Sequence, residues 1–106
     1  EFIGHIGGDD IVMISKHYNV EETCMEIITK FSARIKELYN TTDWKRGYIL
    51  STNRNGFPEQ FPIATVSIAA ITSQSNSNES LEQFSEKIAK LKKKAKKQEG
   101  NSFICD

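Results

Sequence analysis

The sequence has no excess of charge of either sign. Its 106 residues include 14 lysines and arginines and 14 aspartates and glutamates, so the formal net charge is zero. Domains that bind nucleic acid or anionic membranes usually carry a basic excess. The composition therefore argues against both classes, and we expect no nucleic acid and no direct membrane contact.

Cysteine is scarce, and long apolar runs are missing. Cys24 and Cys105 are the two cysteines, and they do not form a Cys-x-x-Cys pair. Two buried free thiols suit a reducing compartment, so we expect a cytoplasmic location. No run approaches the roughly 18 apolar residues that a membrane-spanning helix needs.

The order of apolar patterns predicts a small α+β domain. Phe2–Ile6 and Ile11–Ile14 flank a Gly/Asp turn and predict a β-hairpin. Apolar residues spaced by three and four predict a helix from about Val20 to Tyr39, with a cap-like start at Asn19 and Glu22. The further expected elements are a polar connection at Thr41–Arg46, a strand at Gly47–Ser51, a turn at Asn53–Gly56, a strand at Ile63–Ile71, a loop at Ser73–Asn78, a helix from the Ser80/Gln83 capping box to about Gln98, and a strand at Phe103–Cys105.

This order predicts a largely antiparallel sheet with helices packed on it. At 106 residues the chain is long enough for one small domain and too short for two. A domain of this size buries only about 60–70% of its unfolded surface, so its stability margin is thin.

The segment Gly4-His5-Ile6-Gly7-Gly8-Asp9-Asp10-Ile11 is the most informative part of the chain. Glycines let a backbone approach a phosphate closely, and carboxylates at a hairpin tip can hold Mg²⁺, which prefers oxygen ligands and bridging phosphates. The same residues also make an ordinary hairpin turn. The motif alone leaves both interpretations open.

This hairpin resembles the signature hairpin of GGDEF domains, the bacterial modules that make or sense cyclic di-GMP. Later segments are similar to the same family: Arg46-Gly47-Tyr48-Ile49, Asn53-Arg54-Asn55-Gly56, the run from Phe61 to Ala69, and Ala95-Lys96. The Phe-Pro and Ser-Ile pairs in that run are typical of a branch found with EAL and CBS modules. The resemblance covers nearly the whole chain and implies that residues 1–106 are the C-terminal part of one GGDEF-like domain, with the N-terminal half absent.

The resemblance also implies site residues. Asp9 would be the metal-binding acid and Asp10 its catalytic neighbour. Gly7 and Gly8 would admit nucleotide phosphates, and Lys96 would contact a phosphate. The parent protein would then join two GTP molecules into cyclic di-GMP with Mg²⁺, using a homodimer of domains.

Several positions depart from the family pattern. Asp10 stands where glutamate is usual, and displacing a catalytic group by about 1 Å can cost about a hundredfold in rate. Ile11 replaces an aromatic residue, Ile88-Ala89 replaces the late Ala-Asp pair, and Gly100 replaces an arginine. These departures favour an alternative, a catalytically inactive regulatory module that binds GTP or mediates dimerisation. A third interpretation is an α+β interaction domain that binds no nucleotide.

Two parts of the surface are candidate binding regions: apolar faces and strand edges, and a lysine-rich segment. Loss of the family's first strand would expose strand edges and apolar helix faces, so we expect self-association. A lysine-rich segment, Lys87 to Lys97, could bind phosphates, but lysines opposite an apolar stripe are more often a solvated helix face. Lys96 is the one lysine there to which the resemblance assigns a role.

Overall fold

The α+β fold class is confirmed by a computed structural model, which describes residues 2–16, 19–72 and 80–106. Within these residues the elements are β1 (Phe2–Gly7), β2 (Asp10–Ile14), α1 (Val20–Glu37), α2 (Thr41–Arg46), β3 (Tyr48–Thr52), β4 (Pro58–Pro62), β5 (Ser67–Ala70), α3 (Leu81–Lys97) and β6 (Ser102–Cys105). The expected loop at Ser73–Asn78 lies outside the described residues.

The strands form three separate pairs where the sequence analysis expected a single sheet. β1 pairs with β2 and β3 with β4, both antiparallel, whereas β5 pairs with β6 in parallel. The parallel pair follows from the chain order, because α3 crosses between β5 and β6 and returns the chain in the same direction. Two of the three strand pairs are therefore antiparallel.

Side-chain caps define both long helices, as the sequence predicted. The Asn19 side chain accepts a hydrogen bond from the backbone N–H of Glu22, and its Nδ2 donates to Glu22 Oε2 at 2.6 Å. Ser80 and Gln83 form a reciprocal capping box at the start of α3. Each cap satisfies backbone donors that a helix start otherwise leaves free. α1 ends at Glu37, two residues before the predicted end.

The expected polar connection at residues 41–46 is a short helix, so that prediction was wrong. The Asn40 side chain caps α2 by accepting from the Asp43 N–H at 2.7 Å, and Arg46 forms an ion pair with Asp43. Gly47 ends the helix with a φ of +88°, which is a left-handed conformation that glycine adopts without steric cost. Gly47 is thus a helix cap, and β3 begins one residue later than predicted.

The long strand expected at Ile63–Ile71 is much shorter: residues 63–66 form a loop, β5 covers only Ser67–Ala70, and a strand that was not expected, β4, precedes the loop. Residues 58–62 pair with β3, whereas residues 63–66 belong to no strand. The N–H of Ala64 donates to the Tyr39 hydroxyl at 3.0 Å, and that of Val66 donates to Asn101 Oδ1 at 2.8 Å. These donors are satisfied by side chains from distant elements, so no strand ladder forms there.

The core is small and lies where α1, α3 and the β5–β6 pair meet. Among the described residues only Cys24, Ala95 and Ser102 are buried. Ser102 Oγ donates to the carbonyl of Ala95 at 2.7 Å, which joins β6 to the end of α3. The Cα radius of gyration is 16.6 Å, against about 13 Å for a compact domain of this length.

The β1–β2 hairpin lies largely outside this core. Seven of its apolar side chains are exposed, from 36% for Val12 to 72% for Ile6; the others are Phe2, Ile3, Ile11, Met13 and Ile14. Phe2 pairs with Ile14, and the next residue, Ile3, pairs with Met13. Because successive residues of a strand point to opposite faces, these two pairs place exposed apolar residues on both faces of the hairpin. A two-stranded hairpin without a packed face is marginally stable in water, and this ribbon presents an apolar surface that the described residues leave largely uncovered.

Candidate functional site at the β1–β2 turn

The Gly/Asp motif forms the turn of the β1–β2 hairpin, as the sequence predicted. Gly7 and Asp10 are the last paired residues, and Gly8 and Asp9 make the turn between them. Gly8 has a φ of +55°, which glycine adopts without steric cost. His5 Nε2 lies 2.6 Å from the carbonyl oxygen of Gly8 and donates to it, so the histidine holds the turn.

A bulge precedes the turn. The pairing shifts between His5 and Gly7, so that Ile6 is an extra residue in β1. Bulges bend a strand, increase its twist and re-aim the side chains that follow. This one lies directly before the two glycines and two aspartates of the motif.

Asp9 projects an exposed carboxylate from the tip of the turn. Within residues 2–16, 19–72 and 80–106 this carboxylate has no hydrogen bond and no ion pair. Its oxygens are therefore available to a cation, and carboxylate oxygens are ligands that Mg²⁺ accepts.

Asp10 is held by two lysines of α3. Its Oδ1 lies 3.4 Å from Lys92 Nζ and 4.0 Å from Lys96 Nζ. Asp10 and Lys92 keep roughly two-fifths of their side-chain surface exposed, and Lys96 keeps 60%. The fold thus brings together two residues that sequence analysis had assigned to one site, Asp10 and Lys96, across more than eighty positions of the chain.

Lys92 was not assigned to the site by sequence analysis. It lies four residues before Lys96 on α3, and that spacing places two side chains on the same face of a helix. This spacing was the available signal, but it could not single out Lys92 within a lysine-rich helix. Only the position of the hairpin against α3 does so.

The two glycines leave open space at the turn. A Cβ atom built on Gly7 or on Gly8 would meet no heavy atom within 4 Å. Gly8 is required by its backbone angle, whereas nothing in the described structure requires glycine at position 7. A ligand can therefore approach the backbone on this side.

A metal ion would find only part of a ligand set here. No cluster of three or more histidine, cysteine, aspartate or glutamate side chains suited to a metal occurs in the described part of the chain. Asp9 alone offers unpaired carboxylate oxygens at the turn, since Asp10 is engaged by lysines. The donor chemistry fits Mg²⁺ only where phosphate oxygens supply further ligands, which is how Mg²⁺ is commonly bound with nucleotides.

Two other features lie apart from the turn. A shallow cleft of about 490 Å³ at the β3–β4 turn is lined by Thr52, Asn53, Arg54, Asn55, Glu59 and Phe61, and it contains none of the residues predicted for the site. Cys24 and Cys105 are free thiols with raised pKa values. Burial, the Cys105 thiol and Glu21 together raise the pKa of Cys24 to about 11, so this thiol is a poor nucleophile at neutral pH.

Helices that could cross a bilayer are missing from the described ranges, as none combines the required length with enough apolar character. No family model, no curated protein and no solved structure matches the chain.

Proposed function

We propose that this chain is part of a GGDEF-type domain of a cytoplasmic bacterial signalling protein, and that the parent protein makes cyclic di-GMP from two GTP molecules. The observation that carries the proposal is the closeness of Lys96 to Asp10. The GGDEF resemblance assigned Asp10 a catalytic role and Lys96 a phosphate contact, from separate motifs of one nucleotide site. A chance resemblance gives no reason for the two to meet in space.

Each residue has a role of its own in this proposal. Asp9 would hold Mg²⁺ together with the phosphates, since its carboxylate is exposed and unpaired within the described residues. Gly7 and Gly8 would let a phosphate approach the backbone, where a Cβ atom would meet open space. Lys96 would bind a phosphate through its ammonium group, and Asp10 would assist Asp9. When bound, Mg²⁺ would neutralise phosphate charge during attack by a 3′-hydroxyl.

Self-association is part of the same proposal. The exposed apolar side chains of the β1–β2 hairpin supply a surface that a second copy could cover. Among the described residues no further strand pairs with β1 or β2, so the outer edges of the ribbon favour pairing with another strand. A homo-oligomer would bring two such turns into one assembly.

The decisive experiment is GTP turnover by the parent protein with Mg²⁺, with the products separated by chromatography. We expect cyclic di-GMP, and we expect Asp9→Ala to abolish it. Lys96→Gln should weaken GTP binding, and Lys93→Gln is the matched control because it removes the same charge from the same helix. Absence of any Mg²⁺-dependent GTP binding by the folded parent protein would contradict the proposal.

The second candidate is an inactive regulatory module that binds GTP or mediates dimerisation. The observation in its favour is Asp10, whose carboxylate is paired with lysines and which stands where the family has glutamate. GTP binding without product, retained in Asp10→Asn, would favour this candidate over the enzyme. Product formation that depends on Asp9 would exclude it.

A further inference from the structure

The carboxylate of Asp10 occupies the position where an external anion would meet two lysines. Its Oδ1 is within 4.0 Å of both Lys92 Nζ and Lys96 Nζ. The two ammonium groups therefore converge on one oxygen. An anion with several oxygens could bind both groups at once.

The charges in this cluster do not balance. Two ammonium groups face one carboxylate, which leaves one positive charge uncompensated among the three side chains. All three side chains are partly exposed, and ion pairs between exposed groups stabilise a protein only weakly. Separating Asp10 from the lysines therefore costs little, and a polyvalent anion would gain a larger attraction than the single carboxylate provides.

We propose that Asp10 is an internal counter-anion for Lys92 and Lys96, and that nucleotide phosphates displace it and bind both lysines. The inference rests on the proposed function, because it takes the anion to be the phosphate chain of a nucleotide. It adds Lys92 as a second phosphate-binding cation. Lys92 would also replace the positive charge that is missing where Gly100 stands in place of the family's arginine.

This role predicts an effect of opposite sign to that of a metal ligand. A carboxylate that holds Mg²⁺ strengthens phosphate binding, so its removal weakens binding. A carboxylate that competes for the lysines opposes phosphate binding, so its removal strengthens binding in the absence of Mg²⁺. The two roles of Asp10 can thus be separated by the presence or absence of the metal ion.

The test is calorimetric titration of the chain with inorganic tripolyphosphate in a metal-free, chelator-containing buffer. We expect Asp10→Asn to raise the affinity about fivefold and Lys92→Gln and Lys96→Gln each to lower it by a similar factor. Lys92→Arg should retain binding. Two controls on α3, Lys93→Gln and Glu86→Gln, correct for the general effect of removing one positive or one negative charge.

The result that would overturn the inference is an Asp10→Asn affinity equal to or below that of the unmodified chain. A Lys92→Gln variant that binds tripolyphosphate as tightly as the Lys93→Gln variant would also overturn the inference. Failure of the proposed function is a different outcome: tripolyphosphate binding that follows these expectations, combined with no Mg²⁺-dependent GTP binding by the parent protein. Conversely, GTP turnover by the parent protein, combined with no effect of Lys92→Gln on phosphate binding, would support the proposed function and refute the role of Lys92 as a second phosphate-binding cation.

Discussion

The half-buried side chain of Asn101 links three segments of the fold, so we expect it to contribute strongly to stability. Its Oδ1 accepts from the N–H of Val66 at 2.8 Å, and its Nδ2 donates to Ser32 Oγ at 2.9 Å. One side chain therefore joins α1, the segment before β5 and the segment before β6. Both hydrogen bonds are partly buried.

The Asn101→Ala substitution should lower the free energy of unfolding by about 2–3 kcal/mol. Leaving the Val66 N–H without its partner costs about 1–3 kcal/mol, and the lost bond to Ser32 costs about 0.5–1.5 kcal/mol. Partial access of water reduces the sum. A chain of this length is stable by about 5–15 kcal/mol, so the loss is a large fraction of the total.

Urea denaturation followed by circular dichroism measures this loss. Asn101→Asp keeps the acceptor for Val66 and loses the donor to Ser32, so it should cost about 1 kcal/mol. Asn55→Ala is the matched control, because its side chain is exposed and the change should stay within about 0.5 kcal/mol. The reasoning is refuted if Asn101→Ala is no more destabilising than Asn55→Ala.

Three further predictions concern the thiol, the hairpin and the turn. Because the pKa of Cys24 is raised from 9.0 to about 11, the unfolded thiol ionises first, and stability should fall by about 1–2 kcal/mol as pH rises from about 9 to about 11. Urea titrations of Cys24→Ala at the same pH values should lack this part of the decline. Ile11→Thr should reduce self-association in light scattering, whereas Leu38→Thr, at a similarly exposed site directly after α1, should not. A monodisperse monomer well above micromolar concentration would contradict the expected self-association. Gly8→Ala should lower the melting temperature, because alanine at the positive φ of Gly8 costs about 1 kcal/mol of stability. Gly7→Ala should leave the melting temperature unchanged, because a Cβ atom there meets open space. Equal effects of the two substitutions would contradict these assigned roles.

The elements whose signals are local were predictable from the sequence. The β1–β2 hairpin and both long helices depend on apolar spacing, glycine in the turn and side-chain caps within four residues of each other. The α+β class follows from the order of these elements. The Asp9 and Asp10 turn was visible for the same reason, because the residues that shape it are neighbours in the chain.

The elements that depend on distant partners could not be predicted. Residues 41–46 looked like a polar loop, because a helix of six residues has too few positions to reveal a period. The expected strand from Ile63 was shortened because Tyr39 and Asn101, both far away in the chain, take the backbone donors of Ala64 and Val66. The β-branched residues of this run favour a strand, but tertiary hydrogen bonds to Ala64 and Val66 hold residues 63–66 in a loop.

For the candidate site, the sequence by itself determined which chemical groups lie at the turn. The tertiary structure decided which side chains of other elements lie near them. Glycine freedom and two adjacent carboxylates are properties of the residues and of a two-residue turn, so they exist before any long-range contact forms. Which of the seven lysines from Lys87 to Lys97 faces Asp10 depends on how the hairpin lies against α3. That placement selected Lys92 and Lys96, because electrostatic pairing acts over a few ångströms in space and is independent of separation along the chain.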